Sequence, residues 1–279
     1  MDARELPGVA LWRRRAARAG TYLGLAVISL VMLYPFWSMG IASFRSLEQY
    51  TNGHGFSISS WRQLFSTLPV GRELLSSAIV TIGAIALILA VSTTAGYALG
   101  VLRYRFSTVV FLLVISAMMV PMQSMILPEY VNLSRIGFIN HYYGAILVYA
   151  ALGTPFSTFL MTTYFRRMPE DVVEASLIDG LGYGKIFLRM MLPLALPAIF
   201  TVTVLQFIQI WDDLLVGLLF LQTPNLRPIT VGLATIPSQH LLDVPVLMAG
   251  SLMSALPAIL VYLIFQRYLI TGLTMGMSK

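Results

Sequence analysis

Cysteine is absent from this 279-residue chain. There is then no disulfide framework, no thiolate metal site and no cysteine nucleophile. Charge is scarce as well: Asp, Glu, Lys and Arg make up 11% of the residues, against roughly 25% in a soluble domain. Eighteen basic and twelve acidic side chains cannot clothe a fold of this size in polar groups. An ordinary cytosolic enzyme, a disordered chain and a nucleic-acid-binding domain are excluded. Catalytic signatures are missing too. Gly184-Lys185 has the ending of a phosphate loop, but Asp179 stands at the earlier glycine position and Ile186 where Ser or Thr is needed. Gly180, Gly182 and Gly184 do not make a GxGxxG spacing. The three histidines, His54, His141 and His240, are dispersed and form no paired-His metal motif. No Ser-His-Asp arrangement is evident. We therefore expect no catalytic residue, no metal site and no cofactor held by this chain.

What is present is apolar. Hydrophobic residues make up 57% and the mean hydropathy is +0.80. Six long apolar stretches run over residues 21–44, 74–102, 106–127, 143–164, 194–221 and 246–270. Each reaches the roughly 20 residues that a helix needs to cross a ~30 Å hydrocarbon layer. Barrel strands would be about 10 residues long with alternating polarity, and no such alternation is visible. The expected fold class is an all-α membrane protein with six transmembrane helices.

The net charge of +6 is accounted for by basic residues held in cytoplasmic loops. With the N-terminus inside, thirteen Lys and Arg fall inside and five outside. The outside five are Arg45, Arg62, Arg72, Arg135 and Arg227. This bias places both termini in the cytoplasm. The basic run before the first stretch has the form of a secretory signal. Its apolar part exceeds the 7–15 residues of a signal core, and no small-residue cleavage site follows. It reads as a retained first span, preceded by a basic tail over residues 1–19 with Trp12 at the headgroup level.

The largest cytoplasmic segment, Phe165 to Leu192, holds more charge than any other loop. Pro169 suits a first helical position. Glu170 and Asp171 follow in the first turn, where they favour the helix dipole. Val172, Val173, Leu177 and Ile178 give a partial apolar face, and Gly180 is a helix stop. A second short helix is expected over 185–191, and Pro193 and Pro197 mark the start of span five. Ala175 and Ser176 would let another backbone approach, while Glu174 and Asp179 offer charge to a basic partner. These residues fit a docking element; they equally fit an interfacial connection between two spans.

The spacing inside this segment carries a family resemblance. Glu174-Ala175-Ser176, Gly180, then Met190, Met191, Leu192 and Pro193 resemble the Glu-Ala-Ala, Gly, Ile, Leu-Pro pattern of membrane subunits of bacterial binding-protein-dependent ABC importers. Ser176 replaces the usual Ala and Met190 the usual Ile. The flank FRRMPEDVVEASLIDG is similar to the sugar-importer version. Leu75 to Val80, Ala95 to Leu99, and the stretches Phe265 to Tyr268 and Gly272 to Thr274 resemble the second permease subunit of maltose-type importers. The resemblance covers about residues 20–279.

It implies a type I ABC importer transmembrane fold with a cytoplasmic coupling helix, and its core domain would span residues 71–267. A first helix with a long external loop would occupy 20–70, and a cytoplasmic tail 268–279. It implies a second homologous permease, two copies of a cytosolic ATPase that bind ATP and Mg, and an external solute-binding protein. Glu174, Ala175, Ser176, Asp179, Gly180, Leu192 and Pro193 would make the coupling contact. The implied setting is the bacterial inner membrane. The cargo would be a carbohydrate, or alternatively glycerol phosphate or another polyol derivative. A different class, an ion-coupled secondary transporter, would use the span-five acids.

Those acids stand in LQFIQIWDDLLVGLLF. On a continuous helix Gln206, Gln209 and Asp213 share one stripe, and Asp212 lies about 100° away. An acid near the bilayer centre costs roughly 2.5–3.5 kcal/mol on insertion scales, so each needs water, a partner or the interface. One reading makes Gln206, Gln209, Trp211, Asp212 and Asp213 a lining for sugar hydroxyls, with Trp211 stacked on a sugar face. The other makes them structural. Asp212 stands where sugar-importer relatives often carry Asn, and the added negative charge disfavours an anionic cargo.

Overall fold

The computed structural model describes residues 7–102, 104–239 and 243–274. Arg4, Arg103, His240, Lys279 and the side chain of Trp12 lie outside what is described. The chain forms two units, Met1–Ser66 with Leu242–Leu252, and Thr67–Leu241 with Met253–Lys279.

In the first unit, α1 (Pro7–Ser43) is one helix. The basic stretch expected as a tail is therefore helical from Pro7 onward. Its Ala, Leu and Arg content gives it high helix propensity. Its apolar part, Arg18–Ser43, is almost wholly exposed, with Tyr22 and Trp37 both about 70% accessible. A helix that is apolar on every side and exposed along most of its length is suited to lipid as its solvent. After Ser43 the chain turns into α2 (Leu47–Asn52). Ser46 and Gln49 form a reciprocal capping box there, and Gly53 ends the helix at φ +79°. Then comes α3 (Ser59–Thr67), with Leu64 fully buried. Phe44 stacks on Phe56 at 5.5 Å and meets Trp61 at 5.7 Å. The segment expected as a long external loop thus holds two short helices.

The second unit is built on α4 (Val70–Gly100). The third apolar stretch is not one helix. It divides into α5 (Ser107–Ala117) and α6 (Met122–Arg135), which meet at 93°. Pro121 is the cause: it lacks an N–H and holds an extended ψ of 135° at the start of α6. Pro128 lies inside α6, which continues past it to Arg135. Next is α7 (Tyr142–Phe165). It packs along α4, where a Cβ added to Gly96 would sit 2.7 Å from Met161 Cβ and 3.0 Å from that residue's carbonyl carbon. Lipid gives helices no hydrophobic drive to associate, so close backbone approach through small residues is what holds such a pair. Ala84, Ile88, Met161 and Phe165 are buried in this core.

Four short elements follow: α8 (Glu170–Ile178), α9 (Tyr183–Ile186), a π-turn (Phe187–Met191) and α10 (Leu192–Leu194). The chain then bends by 70° around buried Ala195 into α11 (Leu196–Trp211). The expected fifth span ran on to Leu221. The helix instead stops at Trp211 and resumes as α12 (Leu215–Phe220). Asp213 Oδ2 accepts the Val216 N–H at 2.8 Å, a local side-chain bond that competes with helix continuation. Then come a 3₁₀ turn (Pro224–Leu226) and α13 (Ile229–Gln239). Last is α14 (Val244–Thr274), which begins in the first unit and ends in the second.

Among the described residues there is no strand. Among the described residues four helices are long and apolar enough to cross a membrane, and up to six spans result if each bent pair counts as one. The molecule is a multi-pass α-helical membrane protein.

Candidate functional site

Two places in the second unit gather the residues singled out from sequence. The first is α8. Pro169 stands just before the helix as its N-cap residue, one position earlier than expected. Glu170 and Asp171 occupy the first turn. At the other end the Gly180 N–H donates to Leu177 O and the Leu181 N–H to Ser176 O, both at 3.0 Å. Gly180 has φ +79°. This is the paired hydrogen-bond pattern of a Schellman stop.

Ser176 is only 4% exposed, and its hydroxyl donates to Val172 O at 2.7 Å. The hydroxyl is satisfied within α8 itself. Glu174, Ala175, Asp179 and Gly180 are exposed. The expected apolar face is split: Val172 and Val173 are half-buried, whereas Ile178 is 86% exposed. Glu174, Ala175 and Ile178 share one stripe by their i, i+1, i+4 spacing. Leu192 is half-buried and Pro193 exposed.

The α8 loop is tied to the spans. Tyr97 Oη on α4 donates to Tyr183 O at 3.2 Å. The Tyr97 ring lies 5.0 Å from Phe187 and 5.9 Å from Phe165. Arg166, just after α7, places its guanidinium 4.4 Å from the Phe111 ring centroid on α5. A cavity of about 230 Å³ lies between α8 and the ends of α4 and α7, bordered by Val101, Phe165, Pro169, Val173 and Leu177 among others.

The second place is a cavity of about 160 Å³ bordered by Met122, Tyr149, Phe156, Gln206, Gln209 and Asp213 among others. It brings three of the five span-five residues together, although Asp213 is not on the α11 helix. Asp213 Oδ2 accepts from Tyr149 Oη at 2.9 Å as well as from Val216 N. Gln206 is buried and donates to Ser157 Oγ at 3.1 Å. Gln209 is exposed. Asp212 and Trp211 do not border this cavity. Asp212 is the exposed C-cap of α11. Trp211 was expected to stack on a sugar. It is 5% exposed, stacks on Phe207 at 5.2 Å and donates its indole N–H to Ser254 O at 2.9 Å. Its ring is committed to packing.

Sequence reading missed Tyr149 and Phe156. A signal existed for Tyr149, because a tyrosine inside an apolar span needs a partner for its hydroxyl. Tyr149→Phe is expected to lower stability by about 1.5–3 kcal/mol, the range for hydrogen bonds to charged groups. Thermal unfolding in detergent reads this directly. An unchanged midpoint would show that the Tyr149–Asp213 bond contributes nothing.

A helical membrane bundle with a folded, capped loop at one end and a polar cavity between its spans has the make-up of a transport subunit. The match to known proteins is specific. Residues 92–273 match the family of binding-protein-dependent transport system inner membrane components, and this chain belongs to that family. A probable ABC transporter permease of Pyrococcus horikoshii is 32% identical over 88% of this chain and 92% of its own. The arabinooligosaccharides transport system permease AraQ of Halalkalibacterium halodurans is 29% identical, over 92% of this chain and 95% of its own. The melibiose/raffinose/stachyose import permease MelC of Bacillus subtilis is 27% identical, over 96% and 98%. In fold the chain is similar to a bacterial ABC transporter that imports the acidic polysaccharide alginate. That likeness has a TM-score of 0.79 at 22% identity and covers 91% of this chain and 96% of that one.

Proposed function

We propose that this chain is one of two permease subunits of an ATP-driven importer in the bacterial inner membrane. With a homologous permease it forms the pathway for a carbohydrate delivered by an external solute-binding protein. Relatives described as permeases for arabinooligosaccharides, diacetylchitobiose and melibiose, raffinose or stachyose support the cargo class. Both termini face the cytoplasm, as the distribution of Lys and Arg indicates.

The observation that carries the coupling assignment is the face of α8. Ile178 is a large apolar side chain left bare at a polar surface, flanked by Glu174 and Asp179. Such a knob suits an apolar pocket rimmed by basic groups on a second protein. That protein is the ATPase, present in two copies and holding ATP and Mg. This chain holds neither and catalyses nothing. ATP binding closes the ATPase dimer and draws the two coupling helices together. Ser176 faces inward on α8, and the contact of Tyr97 with Tyr183 passes that movement into α4. Each state of the spans then binds cargo differently, which links the two sites. Of the remaining coupling residues, Ala175 admits close approach, Gly180 sets the stop, and Leu192 with Pro193 begins the turn into α11. The cavity containing Gln206, Gln209 and Asp213 belongs to the cargo route. Asp212 and Trp211 support it from outside.

Purification from native membranes in mild detergent, with mass spectrometry of what remains bound, tests this. A second permease, an ATPase and a solute-binding protein are expected. A chain recovered alone and active in vesicles without ATP would overturn the reading in favour of an ion-coupled transporter.

A further inference from the structure

A further cavity, of about 380 Å³, opens where the ends of α4 and α7 meet the start of α5. Leu99, Ser107, Thr108 and Arg166 border it. Between Glu73 and Glu170 the only acidic residue is Glu129, on α6, so no carboxylate borders this cavity. The Arg166 guanidinium lies 4.4 Å from the Phe111 ring centroid, and its Nη2 donates to Leu99 O at 3.5 Å. Neither contact neutralises its charge. The first turn of α5 adds donors. Phe106, at the N-cap position, has no side-chain acceptor, and no acid stands in that turn. The Ser107 N–H donates to Tyr104 O and the Val110 N–H to Phe106 O. Those of Thr108 and Val109 have no intrahelical acceptor. Ser107 is only 9% exposed. Its hydroxyl borders the cavity and makes no hydrogen bond among the described residues.

A guanidinium, a buried hydroxyl without a partner and the free N–H groups of a helix start are together what a phosphate oxyanion takes. The surroundings point to the source of that phosphate. Val109, Leu112 and Leu113 on α5 are all exposed, and Leu112 lies one turn beyond Thr108 on the same face. A soluble phosphate has no use for such a surface, whereas an acyl chain covers it. We propose that this cavity is a phosphate site filled by the headgroup of an anionic phospholipid, with an acyl chain along Leu112. The distribution of Lys and Arg puts that lipid in the inner leaflet. Arg166 also borders the cavity beside α8, together with Glu170 and Glu174. A phosphate on its other side holds the Arg166 charge against the pull of those carboxylates. The lipid thus braces the junction of α7 and α8. This goes beyond the proposed function, which calls for no bound lipid.

The test titrates the purified complex, stripped of lipid in detergent, with phosphatidylglycerol, phosphatidylethanolamine or inorganic phosphate. Native mass spectrometry counts the molecules bound to this subunit. Phosphatidylglycerol is expected to bind about tenfold more tightly than phosphatidylethanolamine, whose ammonium group finds no carboxylate in the cavity. Arg166→Gln should weaken binding about tenfold, the size of one charge-assisted contact. Thr108→Asp places a carboxylate in the first turn of α5, where it favours the helix dipole but repels a phosphate. It should weaken binding at least as much with no fall in the thermal unfolding midpoint, and it carries the test if Arg166→Gln does not assemble. Inorganic phosphate at millimolar concentration should not displace the lipid. In liposomes, ATP-driven uptake should fall severalfold when phosphatidylglycerol is left out, and Thr108→Asp should be slow with or without it.

Equal phosphatidylglycerol binding by the parent chain and both variants would overturn the site. Equal affinity for phosphatidylethanolamine would overturn the preference for an anionic lipid. Displacement by millimolar inorganic phosphate would overturn the lipid as occupant in favour of a soluble phosphate. Uptake indifferent to phosphatidylglycerol would overturn the bracing of the α7–α8 junction. Lipid binding needs neither cargo nor ATP, so failure here and failure of the importer reading are separate results.

Discussion

Uptake by the assembled importer is expected to fall at least tenfold when Gly180 becomes valine, while the subunit still inserts and assembles. Gly180 has φ +79°, a conformation that costs an L-residue about 1–2 kcal/mol and a β-branched one more. The two hydrogen bonds that end α8 depend on that angle. Without them α8 unwinds or extends, and Ile178 and Asp179 leave their positions. A Cβ at Gly180 itself meets nothing within 4 Å, so the effect comes from backbone conformation and not from crowding. Gly180→Asn, which tolerates the left-handed region, should retain most uptake. Glu174→Lys, on the exposed face, should stop uptake without any change in thermal stability. The measurement pairs ATP-driven uptake in proteoliposomes with ATP hydrolysis stimulated by the loaded binding protein. Normal uptake by both Gly180→Val and Glu174→Lys would remove α8 from the coupling path.

The largest effect on the fold itself is expected at Gly96. Any Cβ there meets Met161 Cβ at 2.7 Å and the backbone nitrogen of Thr162 at 3.0 Å. Helix backbone cannot step aside as a flexible side-chain tip can. Gly96→Val should therefore force α4 and α7 apart, with a loss of about 3 kcal/mol or failure to accumulate, at the upper end of overpacking costs. Gly96→Ala should lose less. Gly71, in the first turn of α4, has nothing within 4 Å of its would-be Cβ. Gly71→Ala is expected to be neutral within about 0.5 kcal/mol, or slightly stabilising. Thermal unfolding in detergent compares the three. Equal midpoints would mean that the α4–α7 approach does not limit stability.

How far the sequence carried these conclusions depended on the range of the forces involved. The span count was legible because insertion in lipid requires only length and apolarity, both local properties. The stop at Gly180 was legible because a glycine after a helical pattern acts within one turn. The break after Trp211 was not. Its cause, Asp213 bonding Val216 and Tyr149, combines a local cap with a partner 64 positions away. The stripe drawn through Gln206, Gln209 and Asp213 assumed an unbroken helix, and the cavity unites these residues by a different route. Trp211 shows the same limit from the other side. An aromatic beside two acids suggested a binding face; its stacking on Phe207 is an i, i+4 pair on α11, but its hydrogen-bond partner Ser254 lies 43 positions away. Ser176 stood out as a departure from its family pattern, but only coordinates show its hydroxyl turned back on Val172.

The right-angled break between α5 and α6 shows how an apolar stretch can turn where water is absent. Eleven residues of α5 rise about 16 Å, roughly half of a ~30 Å hydrocarbon layer. The turn over Met118 to Pro121 follows within the same apolar stretch, and Met119 is 82% exposed there. Lipid tails cannot satisfy peptide groups, and the turn meets that demand itself: the N–H groups of Met118, Met119 and Val120 donate to Ile115 O, Ser116 O and Ala117 O, and Pro121 has none to offer. The chain can thus change direction by a right angle inside an apolar stretch with every backbone N–H of the turn paired.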